Sequence, residues 1–223
     1  MTRTPLYLRT LPNYSRANEI ANMVTHIIGG SLGIIIMSLA VLISAAHKNP
    51  WAVVGSFIYG LSMVALYSVS SIYHGLKPGY SKKVMQVIDH YTIYLLIAGT
   101  YTPILLTSIR PLYPQIAWGI LAAEWLLAAA AAVFTAIDHE RYKKLSMACY
   151  IGMGWLIIFA LKPTLECVGL AGFMLLLLGG ISYTVGAVLY GIGKKKPVYH
   201  TVFHLFVVVG SVLQALCILI YVV

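Results

Sequence analysis

Seven apolar stretches, each close to the length that crosses a bilayer, dictate what this chain can become. They run over residues 22–46, 51–74, 87–109, 115–137, 145–161, 165–192 and from 198 to the C-terminus. About 20 apolar residues in a helix span the roughly 30 Å of membrane hydrocarbon. The fifth stretch is the shortest. Only 9% of the residues are charged and 60% are hydrophobic, against about 25% charged in a soluble domain. Too few charges remain to clothe a soluble surface, and lipid removes the conflict. In lipid a spanning segment must satisfy its own backbone groups, which a helix does. Pro50, Pro78, Pro111, Pro114, Pro163 and Pro197 fall in the connections, where a missing N–H costs little. The connections are short. The expectation is one integral membrane domain over 1–223, an all-α bundle of seven transmembrane helices, with residues 1–20 as a cytosolic tail. That tail holds Arg3, Arg9, Arg16, Pro5 and Pro12 and no apolar centre, so it does not read as a cleavable signal. The first helix then serves as the insertion signal.

Charge sets the orientation. The tail and the loops after helices two, four and six hold twelve basic residues: Arg3, Arg9, Arg16, Lys77, Lys82, Lys83, Arg141, Lys143, Lys144, Lys194, Lys195 and Lys196. The opposite side holds three: Lys48, Arg110 and Lys162. Lys and Arg favour the cytosolic side, which places the N-terminus in the cytosol and, with an odd helix count, the C-terminus outside. The net charge of +9 is therefore topological, and no nucleic-acid partner is expected. Cys149, Cys167 and Cys217 form no CxxC pair and read as small buried hydrophobes.

Polar groups at membrane depth cost roughly 2.5–3.5 kcal/mol each on insertion scales, so each needs an account. His74 ends helix two, Asp89 begins helix three, and His200 and His204 begin helix seven. The charge-derived topology puts all four at the cytosolic ends of their helices. His200 and His204 share one face, about 6 Å apart along the axis, a spacing by which helices chelate metals. The pair also suits two interfacial histidines facing headgroups. His74 at the same depth supplies a third imidazole, and three imidazoles with one open position is a catalytic zinc arrangement. Ser70 lies one turn before His74; it either reaches a site at that metal or bonds its own i−4 carbonyl. Asp89 is either a proton acceptor beside the metal or a carboxylate at a helix N-terminus. His90 points about 100° away from Asp89, towards the surface or a neighbouring helix. Glu19, Asn22 and His26 form one stripe at the start of helix one, where they can support the metal ligands or line an entrance. Glu124 sits mid-helix in helix four and should face the bundle. Asp138, His139, Glu140 and Arg141 read as a solvated loop. Gly29-Gly30 and Gly179-Gly180 read as close helix contacts.

The stretches Glu19-Ile-Ala-Asn22-Met-Val-Thr25-His26, Ser70-Ser71-Ile-Tyr73-His74, Asp89-His90, Gly99-Thr-Tyr-Thr-Pro103 and His200-Thr-Val-Phe-His204 occur in the order seen in a known family. The chain resembles the hemolysin III family, the short branch of the progestin and adipoQ receptor family, related in turn to adiponectin receptors and alkaline ceramidases. That family often carries an acidic pair in its first motif, where Asn18 here precedes Glu19. The resemblance implies a seven-helix fold in the cell membrane. It also implies zinc held by His74, His200 and His204, with Asp89 near the water that zinc activates and Ser70 beside it.

Three functions are expected in turn. The first is a zinc-dependent membrane hydrolase of a lipid amide or ester, ceramide-like in class, with membrane lipids as its partners. The second is a lipid-state sensor in which zinc is structural. The third is a membrane-permeabilising hemolysin, which the lack of any evident soluble form argues against. Oligomeric state is not legible in the sequence.

Overall fold

The computed structural model describes residues 4–192 and 198–223. Arg3, Lys194, Lys195 and Lys196, four of the twelve charges assigned to the cytosolic side, lie outside the described residues. A short 3-10 turn (Leu6–Leu8) precedes α1 (Arg16–Ala46), α2 (Pro50–Gly75), α3 (Tyr80–Pro103), α4 (Pro114–Asp138), α5 (Lys143–Gly154), α6 (Leu161–Ile192) and α7 (Val198–Cys217). Among the described residues every regular element is helical, and six stretches are long and apolar enough to cross a membrane. The chain is a multi-pass integral membrane protein. Leu42, Leu126, Val133, Val188 and Leu205 point outward and are more than half exposed, the surface that lipid rather than water would cover.

Local chemistry starts the helices where the sequence indicates. The Ser15 hydroxyl accepts the Asn18 N–H at 3.2 Å and caps α1, and Asn49 Oδ1 accepts the Ala52 N–H at 3.2 Å to cap α2. Pro50 and Pro114 occupy first-turn positions, which have no helical acceptor for an N–H. Two expected boundaries are wrong. Helix three begins at Tyr80 rather than residue 87, so Asp89 does not begin the helix but lies in its third turn. The polar run containing Lys82, Lys83 and Gln86 hid that start, although Lys82 is 3% exposed and neutralised inside the fold.

The second error concerns Pro163, which is not in a connection. It sits in the first turn of α6, directly after a 3-10 stretch (Leu156–Ala160). The chain breaks instead at Gly169, with φ 68° and ψ 174°, a left-handed conformation that a Cβ disfavours. The run Lys143–Gly191 is 49 residues long; as a single helix it would extend about 74 Å. It doubles back, because Trp155 Nε1 donates to Thr184 Oγ1 at 3.1 Å. In one straight helix those residues would stand about 44 Å apart. The proline marked the wrong place because a helix's first turn tolerates it.

A polar knot sets the register of the bundle. The Tyr67 hydroxyl donates to Ser211 Oγ at 2.7 Å, Tyr183 meets the same oxygen at 2.8 Å, and Tyr59 donates to the Ser211 carbonyl at 3.2 Å. Tyr67 lies seven residues before His74, and Ser211 seven residues after His204. The bond between them fixes α2 and α7 so that His74 stands level with His204. Gly29 lets α1 approach: a Cβ there would meet the Tyr67 ring at 2.6 Å. Gly179 does the same for Gln214, at 2.7 Å, whereas Gly180 faces open space.

Candidate metal centre

The register places three buried imidazoles together. His74, His200 and His204 each offer a ring nitrogen, and the three nitrogens lie within 4.8 Å of one another. His200 Nε2 and His204 Nε2 are 3.0 Å apart. His74 Nε2 is buried with no hydrogen-bond partner, an orphan of the kind that a buried site must satisfy by some other means. A cluster of this composition can hold a metal ion.

The outer ring nitrogens of His74 and His204 are held, whereas His200 Nδ1 is buried without a hydrogen-bond partner. Glu19 Oε2 lies 2.6 Å from His74 Nδ1, and the Asn22 amide nitrogen 3.5 Å from it. The other Glu19 oxygen accepts from Lys82 Nζ at 2.6 Å, and Lys82 also donates to the Leu76 carbonyl at 3.0 Å. His26 Nε2 lies 2.7 Å from His204 Nδ1. Glu19, Asn22 and His26 thus touch two of the three cluster histidines from behind. Such outer contacts fix the tautomer and orientation of a ligating imidazole.

Two surfaces close the site. From the tail, Tyr14 stacks on His200 with ring centres 4.8 Å apart and planes 17° apart. Burial, then Tyr190, Glu19 and Asp89, push the Tyr14 phenol well above its usual range, so it stays neutral. The tail is tied down further along. The Thr4 N–H donates to Asp138 Oδ2 at 2.9 Å, Arg9 donates to the Ile137 carbonyl at 3.1 Å, and Lys83 Nζ donates to the Tyr7 carbonyl at 2.6 Å. Asp138 and His139 are accordingly buried at 2% and 3% exposure, and the expected solvated loop is corrected for this pair. Burial, with His90 beside it, lowers the His139 pKa to about 2. On the membrane side, a cavity of about 130 Å³ reaches the cluster; Ser70, Asp89, Tyr101, His200 and His204 are among its walls. Ser70 Oγ is buried and makes no bond to its own backbone, which removes that expected alternative, and it stands beside the Asp89 carboxyl. His90 packs on a neighbouring helix, with Nε2 3.2 Å from the Tyr190 hydroxyl.

The Haemolysin-III related family model matches residues 14–215. The chain belongs to the haemolysin III family. It is 43% identical to Hemolysin-3 of Bacillus cereus over 92% of this chain and 91% of that one. It is 41% identical to the Hemolysin-3 homolog of Bacillus subtilis (strain 168) over 91% and 93%. At greater distance, it is 28% identical to the monocyte to macrophage differentiation factor of Homo sapiens over 76% and 71%. No solved structure matches the chain. In this member of the haemolysin III family every motif named from the sequence contributes a residue touching the histidine cluster or its cavity, Gly99–Pro103 through Thr100 and Tyr101.

Sequence reasoning missed Tyr14, Lys82 and the anchorage of the tail through Thr4–Asp138 and Arg9–Ile137. Tyr14 stands before the first apolar stretch and carries no periodic signal. Lys82 was counted only as a topological charge, although a lysine beside the Glu19 stripe offered a hint of pairing. A first prediction follows from the contacts behind the cluster. Glu19→Gln and His26→Ala are each expected to weaken metal binding about 10–100-fold, without abolishing it. A metal titration in the presence of a competing chelator reads the change, and unchanged affinity in both variants would refute this supporting role.

Proposed function

We propose that the chain crosses the membrane seven times, with its N-terminus in the cytosol, and hydrolyses a lipid amide or ester at a zinc ion held by His74, His200 and His204. The count of seven is supported by the hairpin at Gly169, which divides Lys143–Gly191 into two lengths of roughly bilayer thickness. Reporter fusions at the two termini test the topology: a cytosolic signal from the N-terminus and an external one from the C-terminus are expected. A cytosolic C-terminal reporter would remove the seventh crossing.

One observation carries the chemical reading. Two histidines of the cluster, the Asp89 carboxylate and the Ser70 hydroxyl border the same largely apolar cavity. Neutral imidazoles suit zinc, and tetrahedral Zn–N distances of about 2.0–2.1 Å put ligand nitrogens about 3.3 Å apart, close to the 3.0 Å between His200 and His204. Zinc in such a site acidifies water towards neutrality and polarises a carbonyl. The protein's own groups then have defined tasks. Glu19 and His26 hold two imidazoles with their inner nitrogens forward. Asp89 accepts a proton from the attacking water. Ser70 donates a hydrogen bond to the substrate's carbonyl oxygen as charge develops there. With zinc bound, the water deprotonated by Asp89 would add to the acyl carbon, and as the C–N or C–O bond broke Asp89 would return that proton to the departing amine or alcohol. The apolar cavity walls exclude bulk water and accept the lipid's hydrocarbon.

The sensor reading, with structural zinc, is favoured by the Tyr14 ring stacked over His200, which covers the cluster from the tail side. The names of the two Bacillus relatives bring a lytic reading. One experiment separates the three. Purified protein, with and without chelator, is incubated with a membrane lipid mixture and the products are measured by mass spectrometry. Chelator-sensitive product is the expected result. Bound zinc with no product would favour the sensor, and zinc-independent dye leakage from liposomes the lytic protein.

A further inference from the structure

Glu124 is a buried acid that this mechanism does not use. It is fully buried, and neither carboxyl oxygen has a hydrogen-bond partner. It is the eleventh residue of α4, about 15 Å from that helix's start and so near the middle of the membrane. An unpaired carboxylate there would carry a large desolvation cost, which a bound proton removes.

The surroundings are irregular in a way that points to more than packing. The neighbouring Trp125 Nε1 donates to Thr102 Oγ1 at 3.2 Å and fixes α4 against the end of α3. Directly beyond, after Pro103, that helix widens into a π-helical stretch (Ile104–Ile109), and such stretches recur at functional sites. Tyr101, on α3, stands within electrostatic reach of Glu124. The Tyr101 hydroxyl donates to the Gly154 carbonyl at 3.1 Å and accepts the Ile157 N–H at 2.9 Å. That is where α5 gives way to the 3-10 stretch Leu156–Ala160. Tyr101, Gly154 and Trp155 all line the cavity that reaches the histidine cluster. Tyr101 therefore joins two irregular helix ends in the cavity wall, within electrostatic reach of Glu124.

We propose that Glu124 is a proton-binding site at mid-membrane, whose bound proton keeps the side chain neutral where α4 packs inside the bundle. The site is separate from the histidine cluster, and the proposal stands whether or not the protein is a hydrolase.

Two measurements test it. Dicyclohexylcarbodiimide enters the membrane and reacts with protonated carboxyls. The acid proton passes to a carbodiimide nitrogen, the carboxyl oxygen bonds the central carbon, and an acyl shift to nitrogen gives a stable N-acylurea. Nothing leaves, so the peptide gains the mass of the whole reagent. An ordinary glutamate is protonated in only about 0.2% of molecules at pH 7. The Glu124 peptide should therefore be labelled at least about tenfold more than the peptide carrying exposed Glu166. Equal or lesser labelling would overturn the proposal, and this arm needs no variant.

The second measurement is the pH dependence of stability in detergent, comparing wild type with Glu124→Gln. Unfolded Glu124 loses its proton above about pH 4.3 while the folded residue keeps it, so the unfolded state binds fewer protons and stability falls as pH rises. Between pH 5 and pH 7 the wild type should lose up to about tenfold in its folded-to-unfolded ratio per pH unit relative to Glu124→Gln. A residue that merely fills space would give parallel pH profiles, and parallel profiles would sink the proposal.

Discussion

Replacing His74, His200 or His204 by alanine is expected to remove most of the zinc that copurifies, from about one ion per chain to a small fraction of that. Each of the three contributes one buried ring nitrogen to a cluster whose members lie within 4.8 Å of one another. Losing one leaves two imidazoles and an opening, a poorer site than any that zinc proteins use. The loss should exceed the 10–100-fold effect of removing an outer contact. Elemental analysis of protein purified without added metal reads it directly. Stability provides a second readout. A metal bound only by the folded state at a thousand times its dissociation constant stabilises by about 4 kcal/mol, so the zinc-dependent rise in melting temperature should vanish with the ligand. His90→Ala is the control. That ring lines the cavity but bonds the Gln86 carbonyl and Tyr190, and its loss should leave zinc in place. Equal zinc loss from His90→Ala would mean that the wrong histidines had been chosen.

These histidines were legible in the sequence because two independent signals agreed. The charge asymmetry put them at one membrane face, and the four-residue spacing put two of them on one side of α7. Where a second physical force competed, the reading failed. Glu19 neutralises Lys82, so a charged residue belongs to α3, and the hydropathy pattern placed that helix's start seven residues late. A first-turn proline is compatible with a helix, so Pro163 misplaced the turn that Gly169 makes. The buried Asp138–His139 pair could not be read locally, because its partners Thr4 and Arg9 come from the far end of the chain. Tyr14 was invisible for the same reason. Its importance arises only when the tail folds back beneath His200, and no periodicity in a proline-containing tail announces that.

The variant Asp89→Asn separates metal binding from chemistry and is expected to retain zinc while losing about 10²–10⁴-fold in turnover. The side chain belongs to the third turn of α3 and lines the cavity with Ser70, His200 and His204. It is not one of the cluster's three ligands. Asparagine preserves its shape and some of its hydrogen bonding but cannot take up a proton near neutral pH. Any weakening of zinc affinity should stay within the 10–100-fold range of an outer contact, and excess zinc would then restore occupancy. Turnover should not return with it, because the missing function is proton acceptance. Ser70→Ala should act in the same direction but more mildly, since it removes one hydrogen-bond donor to the carbonyl and leaves the proton acceptor intact. The assay is product formation from a panel of lipid amides and esters, with zinc content measured on the same samples. Full activity in zinc-loaded Asp89→Asn would leave hydrolysis standing and take the proton-accepting role from this carboxylate. No turnover by the zinc-loaded wild type on any lipid of the panel would end the hydrolase reading. The same cluster, capped by Tyr14, would then be a structural zinc site in a protein that senses its membrane.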